Sequence, residues 1–121
     1  AYEMSGLSAE DIDVAELHDA FTILEIAESE EVGFFPKGEG HIGLEKGETA
    51  LGGRIPINVG GGLKGRGHPV GATGVAQAWE IVTQLRGDGE KRQVEGAKVG
   101  LTLNFGGFGN NVVCLTFVRE D

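Results

Sequence analysis

Gly60-Gly61-Gly62-Leu63-Lys64-Gly65-Arg66-Gly67-His68-Pro69-Val70-Gly71-Ala72-Thr73-Gly74 is the stretch on which the reading of this chain turns. Before it, Ile55-Pro56-Ile57-Asn58-Val59 reads as a short buried strand. After it, apolar residues at helical spacing predict a helix from about Gly71 to Leu85. The stretch is therefore a strand-to-helix corner. Seven glycines there cost backbone entropy, which points to positive φ values or to a backbone that something must approach closely, and a ligand is the expected visitor. His68 precedes Pro69, and proline favours the first helical position. The imidazole is thus expected at the helix N-terminus, where the dipole disfavours imidazolium and keeps the ring ready to accept a proton. No Gly-Lys-Ser/Thr follows the glycines, so a P-loop does not fit. Such corners also occur merely to let a helix pack against a sheet.

Working outward, Asp13 to Leu17 reads as a strand that ends at His18-Asp19, with Asp19 the expected N-cap of a helix reaching about Glu31. Phe21, Ile23, Leu24 and Ala27 are its expected core face, and Glu25, Glu28, Glu30 and Glu31 its wet side. Gly33 ends it, and Phe34 to Pro56 shows no sustained period, as a functional loop would. In the helix after the corner, Ala72, Val75, Ala76, Trp79, Val82 and Leu85 form the expected inward face, with Arg86 and Gly87 closing it. Val99 to Leu103 and Asn111 to Val118 are strands joined by a glycine-rich turn. Ala1 to Met4 is helical and stopped by Ser5-Gly6. That is too short to stand alone, so the chain is expected to start inside a longer helix.

The order strand, helix, strand, helix, strand, strand implies an α/β fold. Its mixed, mostly parallel sheet carries helices on its faces and ends in an antiparallel pair. Ligands of open α/β sheets bind beyond the carboxyl ends of the strands. His18, His68 and Asn104 each follow a predicted strand, so neighbouring strands would gather them at one edge.

Composition narrows the partners. The 121 residues suffice for one domain, and 10 Lys and Arg against 19 Asp and Glu give a net charge of −9. That balance argues against nucleic acid or an anionic membrane. No apolar run nears the roughly 18 residues of a membrane span and no signal peptide is visible, so a soluble, cytoplasmic protein is expected. An anionic ligand would need local cations, and Lys64, Arg66 and Arg54 lie near the corner. Cys114, the single cysteine, sits in an apolar strand and reads as a small hydrophobe. His18, His41 and His68 lack metal-type spacing, and no metal site is expected.

Three motifs in order carry a resemblance. Glu16-Leu17-His18-Asp19-Ala20-Phe21, Gly67-His68-Pro69-Val70-Gly71-Ala72-Thr73-Gly74 and Asn104-Phe105-Gly106-Gly107 are similar to the NEAF or HDCF, GHPxGxxG and CxGG or HNxGG motifs of the thiolase family. The archaeal and sterol-carrier-protein-type branch is the nearest, and the likeness spans nearly all of residues 1–121. The resemblance implies a thiolase C-terminal domain whose N-terminal half, with the cysteine nucleophile, is missing. In the family, acyl groups pass between coenzyme A and that cysteine, and acyl units are joined or split by a Claisen step. His68 would then be the base that makes the thiolate. His18 would complete a first oxyanion hole, Gly106 would give its backbone N–H to a second, and Asn104 would stand beside them. Gly61, Gly62, Lys64, Arg66 and Gly67 would meet coenzyme A, which enters as a thioester substrate with no tightly bound cofactor. Implied partners are the missing half, a second copy of the chain and a zinc-ribbon/OB-fold companion.

Two departures qualify the activity. Cys114 lies too late to be the nucleophile, so this chain alone is expected to be inactive. The family's second acid/base cysteine is replaced by Asn104 or Ala20, and an amide cannot exchange a proton at neutral pH. A sterol-type retro-aldolase on the same fold, or a non-catalytic module binding acyl-CoA or a protein partner, stay open as alternatives.

Overall fold

The structure, a computed structural model, describes residues 1–120. Three strands form the sheet: β1 (Val14–Glu16), β2 (Val99–Gly106) and β3 (Asn111–Val118). β1 runs parallel to the central β2, and β2 pairs antiparallel with β3 from Val99 opposite Val118 to Gly106 opposite Asn111. The mixed α/β architecture agrees with the sequence reading. The strand expected over Ile55 to Val59 is reduced to one parallel bridge, Ile57 to Ala15. Proline at 56 has no N–H to give a ladder, and Asn58 turns the chain away at φ 53°. The backbone contacts that remain are Ala15 N–H to Pro56 O at 3.0 Å and Asn58 N–H to Ala15 O at 2.9 Å.

Among the described residues, five α-helices accompany the sheet: α1 (Tyr2–Ser5), α2 (Thr22–Glu31), α3 (Gly40–Glu45), α4 (Gly62–Arg66) and α5 (Thr73–Arg86). α3 and α4 lie inside stretches read from sequence as a long loop and a glycine corner, where glycine's poor helix propensity masks them. Asp19, the expected N-cap of α2, does something else. α2 begins at Thr22 with Phe21 as N-cap, and the Asp19 carboxylate reaches across to α4. α5 starts two residues later than expected and ends at Gly87, as read.

Both faces of the sheet are covered. On one, Ala15, Leu17, Leu101 and Leu103 pack with Ile12, Val32, Phe34, Phe35, Ile55 and Ile57. On the other, Val14 packs with Ile81, Leu85 and Ala97. Each fully buried Leu or Ile contributes about 1.5–3 kcal/mol, and Leu17, Ile55, Ile81 and Leu101 are of that kind. α5 approaches β2 so closely that a Cβ on Gly100 would stand 2.4 Å from Ile81 Cγ2.

The helix faces differ from the sequence reading. On α5 the buried residues are Thr73, Gln77, Glu80, Ile81, Gln84 and Leu85, whereas Val75 and Trp79 are exposed and Ala72 is on the surface. On α2 the buried residues are Glu28 and Ser29, while Phe21 and Ile23 are exposed, and so is Ala27. The inward polar groups of α5 survive burial because they are paired, as a buried polar group must be. Gln84 Nε2 donates to Glu80 Oε1 at 2.9 Å, and Arg92 Nε donates to the same oxygen at 2.9 Å.

Candidate active site

β1 runs out at Glu16, and the next residues deliver His18 and Asp19 to the carboxyl end of the sheet. Two side chains fix that exit. Asn58 Oδ1 accepts from Leu17 N–H at 2.9 Å, and Glu28 Oε2 accepts from His18 N–H at 2.7 Å. His18 is therefore held by its own backbone before its ring makes a contact, and the residue is only 3 % exposed.

The Asp19 carboxylate organises the corner. Its Oδ1 accepts from Leu63 N–H at 2.6 Å and its Oδ2 from Lys64 N–H at 3.4 Å. Gly62 must be glycine: φ is +57°, and a Cβ would sit 2.4 Å from Asp19 Oδ2. Gly61 caps α4 and Gly67 ends it, both at positive φ. Arg66 turns inward and donates from its NH2 nitrogen to Glu16 Oε2 at 2.6 Å, an engagement the sequence reading did not foresee when it offered Arg66 to an anionic ligand. Arg54 is similarly occupied by Glu48 and the Phe34 carbonyl. Lys64 is exposed, its ammonium donating to Ala20 O at 2.9 Å.

The chain leaves α4 and brings His68 back over His18. The rings meet edge to face, with centroids 5.0 Å apart and planes at 89°. His68 is not at a helix N-terminus: α5 begins at Thr73 with Ala72 as N-cap, so the expected dipole argument has no basis. What anchors it instead is Nδ1 against Thr73 Oγ1 at 2.6 Å, with the Thr73 hydroxyl also 3.2 Å from Pro69 O. His68 is exposed and Thr73 is buried, so a fixed hydroxyl holds an accessible imidazole.

β2 supplies the third wall. Asn104 lies within the strand, not after it as expected, and its Nδ2 stands 3.0 Å from His18 Nδ1 and 2.8 Å from Gln77 Oε1. Phe105 packs on His18 at 4.4 Å between centroids. Gly106 closes the strand one residue further on, with open space where a side chain would be. His18, His68 and Asn104 are thus gathered at one sheet edge, as the sequence predicts, while Gly106 ends β2 two residues beyond Asn104. Thr73 and Gln77 were missed as site residues. Their polar spacing along α5 was visible, but it reads equally as a solvent face.

Burial dominates the electrostatics. Desolvation, helped by the nearby His68, lowers the His18 pKa, which favours a neutral ring. Burial pushes Glu16 up to about 7 although Arg66 pulls the other way, and pushes Glu28 up to about 7 against its bond from the His18 N–H. Among the described residues no group of three His, Cys, Asp or Glu could hold a metal ion. Among the described residues no helix is long and apolar enough to cross a membrane.

The family model described as thiolase C-terminal domain-like matches residues 1–119. Over 119 residues, 98% of this chain, the sequence is 52% identical to an acetyl-CoA acetyltransferase of Methanothermobacter thermautotrophicus, covering 31% of that protein. Over 114 residues, 94% of this chain, it is 50% identical to sterol carrier protein 2 of Homo sapiens, covering 21% of it. Among solved structures, the Ltp2-ChsH2(DUF35) aldolase superposes with a TM-score of 0.75 at 35% identity, over 84% of this chain and 26% of that one. The chain therefore spans a third or less of the length of these relatives.

Proposed function

This chain belongs to the thiolase family, and we propose that it is the C-terminal domain of an acyl-CoA C-acyltransferase whose cysteine nucleophile lies in an N-terminal half outside residues 1–121. The observation that carries the reading is the edge-on approach of an accessible His68 to a buried His18, whose pKa burial lowers. In this mechanism His68 Nε2 takes the thiol proton of that cysteine, and the thiolate attacks the thioester carbonyl. His18 donates to the oxygen as it gains charge, and coenzyme A leaves, taking the proton back from His68. Gly106 N–H serves a second hole in the following Claisen step. Lys64, exposed at the corner beside Gly61 and Gly67, is the cation proposed to meet the anionic cofactor moiety of the substrate, since Arg66 is committed to Glu16.

A second reading has its own support. The Asn104 amide is occupied by Gln77 and His18, and Ala20 cannot titrate, so neither supplies the proton exchange that a Claisen step needs. A retro-aldolase on this fold needs no acylated cysteine, and the similar aldolase structure keeps that alternative in view. Partners proposed with the first reading are the N-terminal half, a second copy and a zinc-ribbon/OB-fold companion. A reducing cytoplasmic setting suits the single free cysteine.

The test is mass spectrometry of the complete protein after exposure to acetyl-CoA. An acyl adduct on an N-terminal-half cysteine is expected, and it should vanish in His68→Asn while the fold persists. Absence of any adduct in the parent protein overturns acyl transfer and favours the aldolase. An adduct that survives His68→Asn overturns the base role.

A further inference from the structure

We infer that Gln77, through Asn104, fixes the proton of His18 on Nε2, making Gln77 a positioning residue for the site; the inference deepens the acyl-transfer reading and rests on it for its functional meaning. The assignment follows from counting donors. Gln77 is completely buried on α5, and its amide nitrogen lies 3.3 Å from Glu16 O and 3.0 Å from Leu103 O. Backbone carbonyls only accept, so that end of the side chain must be the NH2, and both of its protons are used.

The orientation of Gln77 leaves Oε1 facing Asn104 at 2.8 Å. An amide oxygen only accepts, so Asn104 must present its own NH2. Asn104 spends one proton on Gln77, and the other points along the 3.0 Å contact to His18 Nδ1. Nδ1 can receive that bond only as an unprotonated nitrogen, and a neutral imidazole with a bare Nδ1 carries its hydrogen on Nε2. Backbone carbonyls of β1 and β2 thus dictate the His18 tautomer through two amides. Neither amide can relax by flipping, since each flip sets two like groups against each other in a buried site.

The consequence for the two histidines is a division of labour. His18 offers an N–H at Nε2, and protonating its Nδ1 would drive an N–H against the Asn104 NH2. It suits a hydrogen-bond donor to developing negative charge and is unfit as a base. His68, held at Nδ1 by a hydroxyl that can accept, is free to present a bare Nε2. The resemblance implies the same division of roles, and the amide relay gives it a physical basis in the contacts of His18.

The test uses the complete protein with 15N-labelled histidine and two-bond proton–nitrogen correlation at neutral pH, the His18 signal being assigned by its loss in His18→Gln. The expected pattern is a bare Nδ1 and a protonated Nε2; a protonated Nδ1 overturns the inference without need of any variant. In Gln77→Met the freed Asn104 can present either end, so a mixture of tautomers is expected. kcat should then fall roughly 10-fold with KM little changed, less than the ~10²–10³-fold of deleting an oxyanion donor because part of the population keeps it. A His18 tautomer unmoved in folded Gln77→Met overturns the role of Gln77. Failure of the acyl-transfer reading looks different: turnover is absent from the parent protein, while the tautomer still reports on the relay.

Discussion

Gly62→Ala is the substitution whose effect the structure defines most sharply. The new Cβ would stand 2.4 Å from Asp19 Oδ2 and 2.7 Å from both Oδ1 and Cγ. Those contacts leave no room, and the carboxylate must withdraw from Leu63 N–H, to which it now bonds at 2.6 Å. Asp19 is only 4 % exposed, so a displaced carboxylate finds little water to replace the bond. Losing a buried hydrogen bond to a charged group costs about 1.5–3 kcal/mol. Holding alanine at φ +57° adds about 1–2 kcal/mol. We expect a loss of about 3–4 kcal/mol, a large share of the 5–15 kcal/mol typical of a domain. Gly65→Ala is the control: it lies in the same helix, has open space at its Cβ, and should be neutral or gain about 0.4–1 kcal/mol. Urea unfolding of both variants and the parent would read the difference as a change in midpoint at constant slope. The reasoning is refuted if Gly62→Ala costs under about 1 kcal/mol, or if both alanines cost the same.

Other outcomes follow from the same contacts. Glu28 holds its proton up to about 7 in the folded chain against an ordinary 4.5, so the folded state binds the extra proton and stability falls as pH rises from 4.5 to 7. Glu28→Gln should remove that slope and stabilise at pH 8 by roughly 1–2 kcal/mol after allowance for screening, with little effect at pH 4.5; denaturant midpoints at the two pH values check it. Thr73→Val removes the hydroxyl at His68 Nδ1 while keeping shape. It should lower kcat of the complete protein about 10-fold with Thr73→Ser restoring it, which steady-state kinetics would show. The isolated chain should self-associate and bind an apolar dye, because Phe21, Ile23, Val75 and Trp79 face outward. Val75→Thr with Trp79→Gln should shift sedimentation toward monomer with a stability change within about 0.5 kcal/mol.

Much of the fold was legible because it is written in local patterns. The span of α5, the β2–β3 hairpin and the meeting of His18, His68 and Asn104 at one edge follow from periodicity, turn residues and strand order. Helix orientation was not legible. Val75, Val82 and Trp79 mark an apolar stripe, and periodicity assigns such a stripe to the core, yet the side toward the sheet carries Thr73, Gln77, Glu80 and Gln84 beside Ile81 and Leu85. Burial of those polar groups is tolerable only because Glu16 O, Leu103 O, Arg92 and Asn104 meet them, and partners so distant in sequence leave no local signal. The same holds for Asp19, whose partner is 44 residues away. His68 lies in the corner, but the helix-terminus argument for it fails, since three residues separate it from Ala72, the N-cap of α5.

The polar stripe of α5 has a mechanical meaning. Hydrophobic side chains slide over one another, and a helix packed by them can roll or shift a little at small cost. A row in which Gln77 and Gln84 donate to backbone carbonyls and Glu80 accepts from Gln84 and Arg92 admits one setting, because any roll leaves several donors and acceptors without partners at once. α5 is therefore indexed to the sheet like a gear with teeth. Thr73, on its first turn, carries that index to His68, so an exposed ring at the end of a glycine-rich corner inherits the positional accuracy of the buried sheet.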